Sequence, residues 1–295
     1  MSRLSLGLGL AVALAGCHGE PPPPPVPPEA PASAAPPAPR ALADSQARGP
    51  DGKPVAPDAF RALAAQADTS LSRSTGLIGR AGVFHGGEVD AQTGEVWQGL
   101  YPTASGFELR PVPLRVEPAR DEVADGLDGP VTGVRVATPS STPTDGFGAP
   151  EDAALALVRR PGRPFAAGPV STAFAGSWPA RSGRRTLVLG TERAELSVVE
   201  GPDVLASPHE RVRPERVLVL THGDGRRQPL VHIIDRDGGR PALVWAGDLD
   251  GDARLDLLLD ESWDQNVTAP TLYLSSEAEA GRLVRRVARH ETVGS

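Results

Sequence analysis

The sequence predicts a mainly β protein, with a β-sandwich-like or partial-propeller-like body that follows a Pro-rich linker. Three observations lead to this prediction. Pro and Gly supply 32 and 33 of the 295 residues, which favours turns, strands and linkers over long helices. Short apolar segments alternate with Gly- and Asp-containing turns in the second half of the chain. Four closely spaced aspartates between two of those segments predict a loop that binds calcium.

Residues 1–16 are predicted to be a lipoprotein signal peptide. A basic start is followed by the apolar run LSLGLGLAVALAG, which is too short to span a bilayer as a permanent helix. The residues Leu14-Ala15-Gly16-Cys17 resemble the lipobox of bacterial lipoproteins at all four positions. The resemblance implies a lipid on the Cys17 sulfur, cleavage before Cys17 and acylation of the new amino terminus. The alternative is an ordinary secretion signal in which the cysteine is incidental.

A lipid on Cys17 implies a bacterial cell-envelope location, with the membrane as partner through the anchor. Two or three acyl chains hold a protein at a membrane, whereas one chain binds only marginally. In similar lipoproteins Asp after the cysteine signals retention in the inner membrane of some bacteria. His18 stands there, which favours the outer membrane. The periplasmic and the surface face of that membrane stay as alternatives.

The net charge of -7 excludes nucleic acid as the expected partner, because phosphate contacts require a basic surface. Four arginine pairs interrupt this acidic balance. We interpret them as solvated strand ends and turns. They are Arg159-Arg160, Arg184-Arg185, Arg226-Arg227 and Arg285-Arg286.

Residues 17–56 are predicted to form the lipidated N-terminus and a disordered Pro-rich linker. Residues 20–40 read EPPPPPVPPEAPASAAPPAPR. Proline fixes φ and lacks an amide donor, so this stretch suits extended polyproline II, at about 3.1 Å per residue. We interpret it as a spacer of up to about 60 Å, with a docking site for a Pro-binding domain as the alternative.

Residues 57–136 are predicted to form an N-terminal β region with a short leading helix. The segment PDAFRALAAQADTSL begins with Pro57-Asp58 and places Phe60 and Leu63 on one face. In FELRPVPLRVEP the apolar face of an alternating segment changes sides near Pro111 and Pro113, which predicts a bulge or an edge strand. Residues 137–164 then form a predicted connector, because 137–150 are rich in turn residues.

Residues 165–295 are predicted to form a C-terminal β region. Its short apolar segments are separated by turn sequences such as GTER and HGDGRR. The predicted strands are RTLVLG, AELSVVE, ERVLVLT, PLVHIID, PALVWAG, LDLLLD, TLYLSS and RLVRRVARH.

The acidic loop lies in residues 245–262, WAGDLDGDARLDLLLDES. Its aspartates stand at relative positions 1, 3, 5 and 9, Gly251 permits a sharp turn, and calcium takes six to eight oxygen ligands. Without a cation four such carboxylates would repel one another, so we predict one Ca²⁺ in preference to a solvated acidic turn. The predicted ligands are Asp248, Asp250, Asp252, the backbone carbonyl of Arg254, and Asp256. Asp260 and Asp264 are predicted to support the ion without binding it directly.

The loop resembles the calcium loop of FG-GAP and VCBS-type repeats, D-x-D-G-D-x-x-x-D, over about residues 241–276. The resemblance implies a propeller-blade hairpin of an extracellular binding protein. Family members often have Gly where Ala253 stands. If the backbone at this position has a positive φ, alanine costs about 1 kcal/mol relative to glycine. The motif occurs once, so a complete propeller of four or more blades is not expected. The letters FGAP at residues 147–150 lie about a hundred residues before the loop, so they are not interpreted as part of the same repeat.

No catalytic motif is recognised, so the chain is not expected to be an enzyme. Ser177 is not interpreted as a nucleophile, and His85 and His222 are interpreted as solvated turn residues. An acid/base pair among Asp260, Glu261 and Asp264 is the alternative to ion support. The aromatic residues of this region, which are Trp245, Trp263 and Tyr273, are interpreted as core packing, with a sugar-stacking platform as the alternative.

The leading hypothesis is a non-enzymatic, membrane-tethered envelope lipoprotein that binds protein or glycan. A calcium-dependent hydrolase of polysaccharide or peptidoglycan is the second hypothesis, and a purely structural envelope component is the third. A cleft with paired carboxylates would favour the enzyme, and an exposed aromatic surface would favour binding.

Overall fold

The computed structural model describes residues 47–67, 69–121, 123–125, 129–139, 153–201, 215–234, 238–239 and 241–294. The signal peptide, Cys17, the Pro-rich segment and residues 140–152 of the predicted connector lie outside these ranges. The described residues belong to one compact unit, Leu42–Ser295, and are mainly β, which confirms the predicted fold class. No helix in the described part of the chain has the length and apolar character needed to cross a membrane.

The described elements comprise one helix and a series of short strands. The helix is α1 (Pro57–Ala65). The strands are β1 (Ala47–Arg48), β2 (Pro54–Val55), β3 (Gly76–Ile78), β4 (Gly82–Phe84), β5 (Val96–Thr103), β6 (Gly106–Pro113), β7 (Arg115–Ala119), β8 (Gly133–Ala137), β9 (Ala156–Arg159), β10 (Gly168–Val170), β11 (Thr172–Pro179), β12 (Arg184–Leu189), β13 (Glu192–Glu200), β14 (Arg216–His222), β15 (Arg227–Ile233), β16 (Ala242–Gly247), β17 (Asp256–Asp260), β18 (Val267–Thr268), β19 (Pro270–Leu274), β20 (Arg285–Arg289) and β21 (Thr292–Val293).

Helix α1 begins as the sequence predicts, with Pro in the first turn, where a missing amide donor costs nothing. Phe60 is buried and packs against Val217 and Val219 of β14. The helix ends at Ala65, before the Asp, Thr and Ser residues of the predicted segment, which compete for backbone hydrogen bonds and favour turns.

Two antiparallel sheets form the C-terminal part of the body. One has the order β15-β14-β13-β1-β2, with β12 also paired to β13, and the other has the order β11-β16-β17-β19-β20. All eight strands predicted in this region are present. The two sheets contribute side chains such as Leu196, Leu218, Leu243 and Leu257 to one core. The local alternation of apolar segments and turns was therefore sufficient to predict these strands.

The segment with the two prolines is an edge without a bulge. β6 pairs with β5 without a register shift from Gly106 to Pro113, and β10 pairs only with residues 107–109 of β6. The end of β6 that contains Pro111 and Pro113 therefore has an open side, where proline is tolerated. After Leu114 the chain enters β7 of another sheet, β4-β8-β7, which explains the change of apolar face.

Strand β9 lies inside the stretch that the sequence predicts to be a connector. It pairs with β5 and β3, and Ala156, Leu157 and Val158 are buried. Its apolar run is too short to stand out beside turn-rich residues. A further core cluster joins Leu77 and Leu109 to Leu258 and Leu272, so the N-terminal and C-terminal β regions share a core.

Candidate metal centre

The β16–β17 hairpin positions the acidic loop. The two strands pair from Ala242–Asp260 to Gly247–Asp256, which leaves residues 248–255 as the loop. The amide of Asp248 donates to the carbonyl oxygen of Ser171 at 2.9 Å. A β-carbon on Gly247 would lie 2.2 Å from that same oxygen. Glycine is thus required for the close approach of β11 that holds the start of the loop.

Asp248 organises the loop backbone. Its Oδ1 accepts hydrogen bonds from the amides of Gly251 (2.8 Å) and Asp252 (3.0 Å), and its Oδ2 accepts one from Ala253 (3.0 Å). Gly251 and Ala253 have φ of 79° and 61°. The Ala253 backbone is therefore in the left-handed region, where an alanine costs about 1 kcal/mol relative to glycine.

Asp256 is fully buried and connects the loop to the end of β19. Its Oδ2 accepts the amide of Leu249 at 2.8 Å, and its Oδ1 accepts the amide of Ser275 at 2.8 Å. The Ser275 hydroxyl lies 3.0 Å from Asp256 Oδ1 and 2.9 Å from Asp252 Oδ2. Burial, with the nearby charges of Asp250 and Asp252, raises the pKa of Asp256 to about 8.

Three of the four predicted aspartate ligands come together. Asp248, Asp250 and Asp256 each offer a carboxylate oxygen within 4.8 Å of the others. Two oxygens that each lie about 2.4 Å from one calcium ion can be at most about 4.8 Å apart, so the spacing fits a single ion. Asp252 lies outside this group, and its carboxylate accepts hydrogen bonds from the Arg254 amide and the Ser275 hydroxyl. The Arg254 side chain contacts the carbonyl oxygens of Ser275 and Leu283. The backbone carbonyl of Arg254, which is the fifth predicted ligand, lies within the loop of residues 248–255.

Arg160 is a site residue that the sequence interpretation missed. Its Nη1 lies 2.9 Å from Asp250 Oδ2, its Nε donates to the Arg163 carbonyl at 2.8 Å, and its guanidinium stacks over Phe165. Only 4% of the Arg160 side chain is exposed, so its interpretation as a solvated strand end is wrong. The partner stands 90 residues away in the chain. No local pattern could have revealed this pair.

The remaining oxygens fit a divalent cation. Asp250 Oδ2 is occupied by Arg160 and the Ser276 hydroxyl, but its Oδ1 is buried and accepts no hydrogen bond within the described part of the chain. A buried oxygen of this kind carries a desolvation cost that a bound cation would remove. The same cation would stabilise the ionised form of Asp256. Asp248 accepts three hydrogen bonds, fewer than the four lone-pair sites of a carboxylate.

Asp260 and Asp264 do not support this centre, which corrects the prediction. Strand β17 is extended, so Asp260 lies about 13 Å along the strand from Asp256. Asp260 Oδ1 accepts hydrogen bonds from the amide of Ser262 at 3.0 Å and its hydroxyl at 2.5 Å. Asp264 accepts the amide of Asn266 at 2.8 Å. Both carboxylates therefore accept backbone amides in the segment that follows β17, away from the acidic loop.

The aromatic residues near the hairpin divide into two kinds. Trp245 and Tyr273 are fully buried, as core packing requires, whereas Trp263 is 42% exposed.

The structure also places the serine and the two histidines that the sequence analysis considered. Ser177 is exposed on β11, and His222 contacts Asp224. His85 differs from the solvated residue expected, because Nδ1 contacts the buried carboxylate of Asp121 and Nε2 lies 2.5 Å from the Val293 carbonyl oxygen.

No protein-family model, curated protein or solved structure matches this chain. The chemistry of the loop is therefore assigned from its own geometry. Three carboxylates, a buried arginine and two serine hydroxyls form a compact, oxygen-rich centre at one end of β17 and β19.

Proposed function

We propose that this chain is a membrane-tethered bacterial envelope lipoprotein with a structural Ca²⁺ site and a non-enzymatic binding or scaffolding role. One observation supports the metal site above others. Three carboxylate oxygens lie within 4.8 Å of one another, beside a buried Asp250 oxygen without a hydrogen-bond partner in the described chain. Asp248, Asp250 and Asp256 are the proposed ligands, with Arg254 contributing its carbonyl and Asp252 held beside them.

The ion would act by stabilising the fold. Asp256 begins β17, while Ser275 and Ser276, which contact the aspartates, follow β19. Neutralising the carboxylates therefore favours the packed arrangement of these two strands with the loop. At a free calcium concentration of one hundred times Kd, binding adds about 2.7 kcal/mol to the free energy of unfolding.

The metal proposal is tested by isothermal titration calorimetry and thermal melts of the full-length protein in detergent, with millimolar Ca²⁺ or with chelator. We expect binding heat and a higher Tm with calcium. No heat at millimolar calcium, together with identical melts, would contradict the proposal. Magnesium is the control cation, because it requires closer and more regular oxygen ligands than calcium.

The membrane anchor rests on residues 14–17 and is tested separately. Mass spectrometry of the N-terminal peptide should show a lipid on Cys17, and Cys17→Ser should release the protein from the membrane fraction. An unmodified Cys17 in the membrane fraction would disprove lipidation.

The chemistry of the cleft beside β15 and the end of β17 favours binding over hydrolysis. Among its described lining residues Glu261 is the single carboxylate, and it already accepts hydrogen bonds from Tyr273 and Arg286. A glycosidase of the usual kind needs two carboxyl groups that flank one bond. The cleft instead presents the exposed face of Trp263, as a binding surface does.

A further inference from the structure

A cleft of about 430 Å³ lies at the end of β17 that is remote from the acidic loop. This volume is in the range of small-ligand sites. Five consecutive residues, 230–234, line it. Its other lining residues are Thr69, Pro241, Glu261, Ser262, Trp263, Tyr273, Arg286 and Arg289. A cavity that touches every residue of a strand segment follows that segment along its length.

Residues 230–233 of that segment belong to an edge strand, β15, and Ile234 follows it. β15 ends its sheet, and β14 is its one partner among the described strands. Every second residue of an antiparallel edge strand directs its N–H and C=O groups towards the open side. Edges are usually blocked by charges, Pro or bulges, and the first half of β15 has Pro229 and a register shift at Leu230. Beyond that irregularity, residues 231–234, VHII, contain no Lys, Arg, Asp, Glu or Pro. Ile234 is 41% exposed. The end of β15 beyond Leu230 is thus suited to pair with another strand.

The polar side of the cleft is rich in hydrogen-bond donors. Glu261 Oε1 accepts from the Tyr273 hydroxyl at 2.6 Å, and Oε2 accepts from Arg286 at 2.5 Å and Arg289 at 3.3 Å. The lining thus contains two guanidinium groups and one carboxylate, while Arg289 also contacts Glu291 outside the lining. The Nε groups of both arginines are buried without a hydrogen-bond partner in the described chain. Glu261 and Glu291 together balance the two guanidinium charges, but the two Nε donors still lack an acceptor in the described part of the chain, which favours a ligand that brings a carboxylate.

We propose that the cleft binds an extended peptide segment, which adds a strand to β15 and places an acidic side chain or terminal carboxylate at Arg286 and Arg289. Main-chain pairing supplies affinity in such complexes, and pockets for alternate side chains supply specificity. A saccharide is the less suitable ligand, because Trp263 is the single well-exposed aromatic ring in the described lining. The inference deepens the proposed binding role but uses none of the metal ligands.

The test uses full-length protein in detergent with millimolar Ca²⁺ and pools of fluorescent nonapeptides that alternate apolar and polar positions. One pool carries Asp at a fixed position near the C-terminus, a second carries Asn there, and a third has Pro at alternate positions. We expect the Asp pool to bind at least tenfold more tightly than the Asn pool, and the Pro pool not to bind. Amide exchange in β15 should slow on binding. No binding by any pool, equal binding by all, or tighter binding of tri-galacturonate would overturn the proposal.

Matched variants locate the site. Ile234→Lys should weaken binding of the Asp pool at least tenfold, whereas Val188→Lys, on β12 of the same sheet and 45% exposed, should not. Arg289→Gln should abolish the preference for Asp over Asn. Equal effects of the two lysine variants, or an unchanged preference in Arg289→Gln, would contradict the assignment. Calorimetry with Ca²⁺ on the same samples separates failure of this site from failure of the metal site.

Discussion

Arg160 forms a buried ion pair with Asp250, in which Nη1 and Oδ2 are 2.9 Å apart and the aspartate side chain is fully buried. The pair connects the residue after β9 to the acidic loop between β16 and β17. The protein thereby neutralises one aspartate itself, while the Asp250 Oδ1 atom remains without a described partner. In the proposed metal site, a cation would balance the charge of the loop that Arg160 does not neutralise.

Replacing Arg160 should destabilise the protein strongly. Arg160→Met leaves Asp250 buried without its partner, and the expected loss of unfolding free energy is about 3–5 kcal/mol in chelator. The loss should be smaller with saturating Ca²⁺, because the ion supplies the missing charge. Urea unfolding under both conditions measures it. The control is Arg159→Met, whose 42% exposed side chain pairs with Glu95 and should contribute at most about 1 kcal/mol. Similar losses in both variants would argue against the buried pair.

Calcium affinity should distinguish the two ends of β17. Asp256→Asn removes a proposed ligand charge and should weaken Ca²⁺ binding at least tenfold, about 1.4 kcal/mol. Asp260→Asn, at the other end of the same strand, should leave the affinity unchanged. Calorimetric titration of both variants gives the comparison, and circular dichroism checks that each is folded. Weakening by Asp260→Asn to the same extent would show that the ion binds elsewhere.

The backbone at Ala253 should respond to glycine. Ala253→Gly relieves a φ of 61°, but glycine also gains freedom in the unfolded chain, so we expect a net stabilisation of about 0.5 kcal/mol. Gly251→Ala is the converse control, because φ is 79° and no atom lies within 4 Å of the added methyl group. It should cost about 1 kcal/mol. Urea midpoints measure both, and a destabilising Ala253→Gly would disprove backbone strain at this position.

Stability should depend on pH through His85 and Asp121. The hydrogen bond to Asp121 raises the pKa of His85 above 6.5, and the same bond lowers the pKa of Asp121 below 3.8. The His85 contribution is complete below pH 6.5 and is lost as pH rises through the raised pKa. The Asp121 contribution is complete above pH 3.8 and is lost as pH falls through the lowered pKa.

The difference in unfolding free energy between wild type and His85→Asn should therefore be largest at about pH 4–6.5 and shrink on either side. Urea unfolding from pH 3 to 9 at one calcium concentration measures this difference, and subtraction cancels the titration of Asp256 and His290. A difference that stays constant with pH would rule out the pair. Because Val293 accepts from His85, the protection factors of amides near residues 292–294, after correction for the intrinsic pH dependence of exchange, should fall as pH rises in the wild type but not in His85→Asn.

Local sequence patterns determined the elements and the loop. Between residues 184 and 290, short apolar segments alternate with turn sequences, and this pattern predicts strands. It does so because the face on which a side chain lies and the formation of a turn both depend on neighbours in sequence. The spacing of Asp248, Asp250 and Asp256 belongs to one hairpin, so their meeting is also local. The glycine that stands at the position of Ala253 in the loops this one resembles raises the question of a positive φ there, and the structure gives a φ of 61°.

Tertiary structure alone decided which distant residues contact these elements. Arg160, Ser275 and Ser276 reach the acidic loop from other strands, β9 enters a sheet from a turn-rich stretch, and the cleft forms where β15 lies beside the end of β17. Asp260 is close to Asp256 in sequence, yet an extended strand separates them. The physical reason is that the order of strands in a sheet is selected by the burial of the whole core, and this order decides which distant charges share a site.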